Sequence, residues 1–226
     1  MKPFLNSVKS SQVKVLVLAL CLGSAPQFAF AAANESVSSP HADQLKIVPS
    51  LGYSYFNIQG SSSDFKSKGG TSAGVLAQMP IMNGQVELES GLEYLETGAK
   101  QTIDFGFFSM DAMTIDIKQI AIPIRAKYIF NPTAVGTRWY GKAGLTPTYV
   151  VGAKAEVPGA STDIKSDLTE VGVLTQAGVG ADWNLEAMMG RVSLDLTYNY
   201  GLTKVFKNAD GRATGFIVQA GYAFAL

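Results

Sequence analysis

The sequence predicts an all-β fold, an eight-stranded antiparallel up-and-down transmembrane β-barrel. Three observations predict it. Eight segments alternate with a period of two, one file apolar and the other charged, polar or Gly-rich. The links between them are short and long in turn, which places short links on one rim and long links on the other. The apolar files carry almost no charge in their central parts, and aromatic residues gather near the segment ends as interfacial girdles do.

The first segment, Lys46–Gln59, carries Tyr53 and Tyr55. A long polar link, Gly60–Thr71, leads to Ser72–Pro80, which Pro80 ends because it lacks a ladder donor. The short link "IMNG" leads to Gln85–Thr97, whose file of one parity holds Glu87, Glu89 and Glu93. After the long link Gly98–Ala112 comes Met113–Phe130. Here Ile120, Ile122, Ile124, Ala126, Tyr128 and Phe130 form the apolar file, and Gln119, Arg125 and Lys127 face the other way. Two features complicate this segment. Pro123 falls inside it and predicts a bulge or local break. Ile115 and Ile117 have the opposite parity from Ile120, so either a bulge resets the register or Asp116 and Lys118 share the lipid-facing file near the external rim.

The fifth segment, Arg138–Ala153, supplies Lys142 to the inner file and contains Pro147; Trp139, Tyr140 and Tyr149 add to the expected girdles. Lys154–Asp167 is a long link. Leu168–Asn184 has Val171, Val173, Thr175, Ala177, Val179, Ala181 and Trp183 in its outer file. Its inner file includes Gln176 and Asp182, with Leu174 as an exception. In Arg191–Phe206 the outer file is Val192, Leu194, Leu196, Tyr198, Tyr200 and Leu202, and Arg191 and Asp195 lie on the inner one. The last segment, Ala213–Leu226, places Phe216, Val218, Tyr222, Phe224 and Leu226 toward lipid. Gly215, Gln219 and Gly221 face the lumen, with Ile217 as an irregularity.

Period two alone does not distinguish a soluble barrel, which hides its apolar file, from a membrane barrel, which displays it. Composition favours lipid. Hydrophobic residues are 47% and charged residues 16%, against about a quarter expected for a soluble domain. In lipid every backbone N–H and C=O needs a partner within the protein, so the last segment must pair with the first.

Residues 1–33 read as a signal peptide, with Lys2, Lys9 and Lys14 before the apolar "VLVLALCLG" and Ala-rich cleavage sites at Ala29–Ala31 or Ala31–Ala33. Residues 34–44 are a polar lead-in containing the sole histidine, His41, and residues 45–226 are the barrel. Cleavage removes Cys21, the one cysteine, and leaves 15 basic against 18 acidic residues, a net charge of −3. No basic surface for nucleic acid results.

Glu87, Glu89, Glu93, Arg125, Lys127, Lys142, Asp182, Arg191 and Asp195 form the expected lumen charge network. Carboxylates beside cations on neighbouring strands read as a salt-bridged core, because eight strands enclose a space that side chains fill. No catalytic, cofactor-binding or metal site is expected, and no Ser/His/Asp set exists. "DFGFF" at Asp104–Phe108 resembles a kinase triplet without the companion motifs, and is read instead with Met110 and Met113 as an apolar cluster in an external loop.

"IKQIAIPIRAKYIF" and the terminal "GYAFAL" resemble the small outer-membrane β-barrel families, especially the outer membrane protein beta-barrel domain group. Tyr222 and Phe224 fit the closing strand of such chains, while Leu226 stands where phenylalanine is usual. The resemblance implies the outer membrane of a Gram-negative bacterium and recognition of the last strand by the barrel assembly machinery. The expected partners are outer-membrane lipid, lipopolysaccharide, and an extracellular protein or surface reached by the long loops. The expected role is non-enzymatic, structural or surface-interacting. A narrow porin-like transport barrel is the alternative, and a lipid-modifying barrel enzyme stands behind it.

Overall fold

The computed structural model describes residues 44–60, 65–104, 109–134, 136–185, 190–208 and 210–226. The expected signal, most of the lead-in and Phe105–Phe108 lie outside them. β1 (Lys46–Gly60) pairs with β2 (Phe65–Ile81) on one side and with β10 (Gly211–Ala225) on the other. Lys46 stands opposite Ala225 and Gly60 opposite Gly211, so the first and last strands pair from end to end in one register, apart from Val48 and Pro49. From β2 the ladder continues to β3 (Val86–Asp104), then to β4 (Ser109–Ala121) and β5 (Ile124–Ile129). It passes on to β6 (Thr137–Val157), β8 (Val171–Leu185), β9 (Gly190–Gly201) and back to β10. β4 and β5 are two pieces of one wall, which makes a ring of eight. β7 (Ala160–Asp163) pairs with β6 outside the ring. A closed antiparallel sheet leaves no edge within the wall, the condition lipid imposes.

Burial is inverted relative to a soluble barrel. Leu51, Leu92, Ile124, Trp139, Val179 and Phe216 are exposed on the outer face, whereas Glu87, Arg125 and Lys127 are 1%, 3% and 2% exposed inside. Tyr140 is a correction to the expected girdle. Its neighbour Trp139 points outward, so strand alternation turns Tyr140 into the lumen, where it is buried.

Pro123 breaks the fourth wall without slipping it. Ala121 faces Glu93 and Ile124 faces Ser90, so the register is the same on both sides of the break. The Ile122 N–H donates to the Pro147 carbonyl at 2.9 Å across the gap. The change of parity above it is not a reset either. Ile115, Ile117, Gln119, Ala121, Arg125 and Lys127 are all buried on one continuous file, and Asp116 and Lys118 lie on the outer one. The bulge near this point is on β6, where Val151 is the extra residue between the pairs Gln119–Val150 and Lys118–Gly152.

A second irregularity falls in β2 between Ser67 and Ser72. A Cβ on Gly69 would run into the Tyr53 hydroxyl, so a larger residue there makes the exposed Tyr53 ring move aside.

The long links are mostly strand, which the alternation did not predict. β2 begins at Phe65, β3 and β4 zip up to Asp104 opposite Ser109, and β6 folds back on β7 through Pro158 and Gly159 (φ 85°). The ladder outruns the pattern because neither face is uniformly apolar there, yet hydrogen bonding continues. Conversely, β9 stops at Gly201 and β8 starts at Val171. The flanking residues leave the wall and form a strap. Leu168 bridges Phe206, the Thr169 N–H donates to the Val205 carbonyl at 2.9 Å, and the Lys207 N–H donates to the Asp167 carbonyl at 3.0 Å.

Candidate functional site

The inside of the barrel is the largest concentration of chemistry, and it has two layers. The terminal layer, nearer Lys46 and Ala225, is charged. β3 projects Glu87, Glu89 and Glu93 inward at every second or fourth residue, and its partner β5 projects Arg125 and Lys127. Glu89 faces Arg125 and Glu87 faces Lys127 in the ladder. Arg125 lies between two carboxylates: its Nη2 donates to Glu93 at 2.9 Å, and its Nε is 2.6 Å from Glu89 Oε1 as an ion pair. Lys127 reaches across to Asp182 of β8 at 3.0 Å and to Glu87 at 3.4 Å. Lys142 of β6 pairs with Asp195 of β9 at 3.0 Å.

Eight of the nine expected network residues meet in these pairs. Arg191 does not join them: among the described residues its Nη1 is buried without a hydrogen-bond partner.

Three participants were not anticipated. Lys46 donates to Glu87 at 2.7 Å, Arg138 to Asp182 at 2.7 Å, and the Tyr140 hydroxyl to Asp195 at 2.6 Å. The Lys127 ammonium also lies 3.8 Å from the centroid of the Tyr140 ring. Strand parity would have found two of them, since Arg138 and Tyr140 share a file with Lys142. Amides complete the layer. Gln78 donates to Glu89 at 2.7 Å, Gln176 to Asn199 at 2.6 Å, and Gln219 to Ser50 at 2.9 Å.

The distal layer is mainly apolar, with Thr97, Gln119 and Thr148 buried among its aliphatic side chains. Phe56, Leu95, Leu174, Ala213 and Ile217 pack together across the lumen. Beyond them Ile58, Ile115, Ile117, Val150 and Leu168 form a second cluster, against which Met113, Val205 and Phe206 pack. Leu174 and Ile217, the two exceptions of the inner files, are thus neighbours in one cluster. The strap lies over this layer and brings Leu168 into it fully buried.

Chemically, each carboxylate of the charged layer is engaged by a cation, so none is held ready as a general base. Among the described residues no three metal-ligating side chains cluster. On the closing strand Phe216, Val218, Phe224 and Leu226 are exposed outward and Tyr222 is half-buried. Phe216 packs against Tyr198 of β9 with ring centroids 5.1 Å apart.

Comparison with known proteins places this architecture. Residues 32–207 match the sequence profile of the outer membrane protein beta-barrel domain, and the chain belongs to that family. No curated protein matches the chain. Among solved structures it is similar to Neisserial surface protein A, with 16% identity over 80% of this chain and 97% of that one and a TM-score of 0.49. It is also similar to Ail, the attachment invasion locus protein of Yersinia pestis, with 14% identity over 80% and 99% and a TM-score of 0.44. OprG from Pseudomonas aeruginosa is similar at 11% identity over 82% and 97%, with a TM-score of 0.45.

Proposed function

We propose that this member of the outer-membrane barrel family is a non-enzymatic, non-conducting barrel with a structural or surface-interaction role. One observation carries the reading: the lumen is filled twice over, by interlocked ion pairs and then by an apolar layer under a strap. Ions crossing it would meet paired charges and then a mainly apolar region in which Gln119 and Thr148 are among the few polar side chains. The distal end is the external one in this reading, since the link Met82–Gly84 at the terminal end is short and periplasmic turns of such barrels are short. The extended β3–β4 and β6–β7 hairpins then stand outside the membrane, where an extracellular protein or surface can reach them.

In this reading residues 1–33 are removed on export, residues 34–44 lead in, and residues 45–226 form the barrel. Phe216, Val218, Tyr222, Phe224 and Leu226 serve as the strand read by the assembly machinery.

Single-channel recording in planar bilayers tests the sealed lumen. Conductance at the level of membrane leak is expected. Steps above leak whose size changes in Glu89→Gln or Arg125→Met would instead support the narrow porin-like transport barrel. Location is tested by a membrane-fraction band that shifts on boiling; a soluble periplasmic band overturns the proposal. Deleting residues 222–226 is expected to abolish assembly, and a truncated chain that still inserts as a heat-modifiable barrel refutes the role given to the closing strand.

A further inference from the structure

A cavity of about 30 Å³ lies under the strap, at the distal end of the lumen. Ile117 of β4, Val150 of β6 and Leu174 of β8 wall it, and Leu168 and Val205 of the strap close over it. Lys204 also lines it and is exposed, paired with Asp210, so the cavity reaches the surface there. Below it Leu174 packs with Phe56, Leu95 and Ile217 across the lumen.

The polar groups in this apolar setting are incompletely matched. Gln119 lines the cavity and is 8% exposed, and its Oε1 has no hydrogen-bond partner among the described residues. Two more buried hydroxyls in the same condition adjoin the lining. Thr97 stands opposite Ile117 in the ladder, and Thr146 opposite Leu174. Gly172 leaves the wall bare between two further hydroxyls. A Cβ there would stand 2.8 Å from Thr148 Oγ1 and 3.2 Å from Thr203 Oγ1. Thr203 Oγ1 itself accepts the Val173 N–H at 3.1 Å.

A buried acceptor without a donor is costly, so a ligand that brings a donor to Gln119 gains more than its contact area. That donor belongs to an uncharged group, because no carboxylate is among the described lining residues to pair with a cation. A hydroxyl suits the place, since it donates to Gln119 and can accept from Thr148. The enclosed volume is that of about two waters, enough for a hydroxyl and the carbon that bears it. The rest of the ligand then extends along the apolar lining toward the opening at Lys204.

We propose that this cavity binds a small primary alcohol, whose hydroxyl donates to Gln119 Oε1 and whose carbon chain lies against Ile117, Val150 and Val205. The inference goes beyond a structural or surface-interaction role and uses the distal layer alone. Conductance of the same preparations reports on the lumen separately.

The test uses the full mature barrel in lipid nanodiscs with labelled Ile, Leu and Val methyl groups. Methyl shifts are titrated with 1-butanol and with diethyl ether, isomers that differ in whether they carry a hydroxyl donor, and nuclear Overhauser contacts locate each. Contacts from 1-butanol to the inward methyls of Ile117 and Val150 are expected. Its affinity there should exceed the ether's about five-fold, the worth of one net hydrogen bond of about 1 kcal/mol. The outward methyls of Ile122 and Leu196 report partition into lipid and should respond to both isomers. Gln119→Leu keeps the bulk, removes the acceptor and should abolish the preference. Equal affinity of the isomers at the inward methyls, contacts confined to the outward methyls, or a preference unchanged in Gln119→Leu would each overturn the proposal. A heat-shifted gel band confirms that the variant is folded. If it does not fold, the comparison of the two isomers on the unaltered barrel still decides.

Discussion

The terminal half of the lumen is dominated by ion pairs, beside a small cluster of Val48, Leu76 and Ala223, and the distal half by aliphatic side chains and Phe56. Both fill space, but they specify the barrel differently. Buried ion pairs bring a large desolvation penalty that their mutual attraction offsets only when the partners are in place. A slip of one residue in a strand turns its whole inner file to the other face. For β5 that would put Arg125 and Lys127 in lipid and strand Glu89, Glu93 and Asp182 inside. The charged layer therefore penalises wrong registers heavily while adding modest stability to the right one. The apolar layer penalises a slip less, since Ile115 and Ile117 are tolerated on either face. Its contribution scales with area removed from water and with packing. One layer sets register, and the other supplies stability and closes the distal end.

That contrast can be broken in steps of decreasing size. Arg125→Met leaves Glu89 and Glu93 buried without their shared cation and should destabilise the barrel by about 3–5 kcal/mol. Urea titration of the barrel in lipid vesicles, followed by the heat-shifted band, measures this. Replacing all three together, as Glu89→Gln, Glu93→Gln and Arg125→Met, should restore most of the loss. If the triple variant is as unstable as the single one, the charges contribute stability directly and the division of labour is wrong.

In the apolar layer Ile117→Ala should lose about 2–4 kcal/mol in the same titration, and Ile117→Val about 1 kcal/mol, following the volume removed. Phe206→Ala should loosen the strap, seen as faster hydrogen exchange at the amides of Thr169 and Lys207. Conductance should stay at leak because the charged layer is untouched. Conductance appearing in this variant alone would show that the charged layer does not seal. The smallest expected effect lies outside both layers: Glu96→Gln weakens the bonds from Thr71 and Tyr94 and should cost about 1 kcal/mol.

Much of the fold was legible because a barrel wall is local in sequence. Alternation assigns a face to each residue without knowledge of its neighbours, so Gln219 inside and Phe216 outside followed from parity alone. The same parity misled where it met something it does not encode. Val205 and Phe206 extend an apolar run past Gly201, yet they turn over the barrel mouth, because packing on the distal layer removes them from water where no wall is needed. Ile115 and Ile117 suggested a change of register when what changed was the chemistry of the lumen.

For the candidate site, residues of one sign on one strand were easily seen, as were opposite signs on neighbouring strands. Contacts across the lumen were not, because pairs such as Lys127–Asp182 and Tyr140–Asp195 join strands that are not hydrogen-bonded neighbours. Arg191 shows the limit from the other side: it has the right parity, yet among the described residues its Nη1 is buried without a hydrogen-bond partner.

Sequence alone determined the number of walls, which face of each strand meets lipid, and that carboxylates and cations share the interior. These follow from the two-residue period and from the demand of lipid for a closed, apolar-faced sheet. The tertiary structure alone decided how far the hairpins extend past the alternating pattern and how the interior divides into a charged and a mainly apolar layer. Those depend on the stagger between strands and on side chains meeting across the lumen, distances that no local pattern carries.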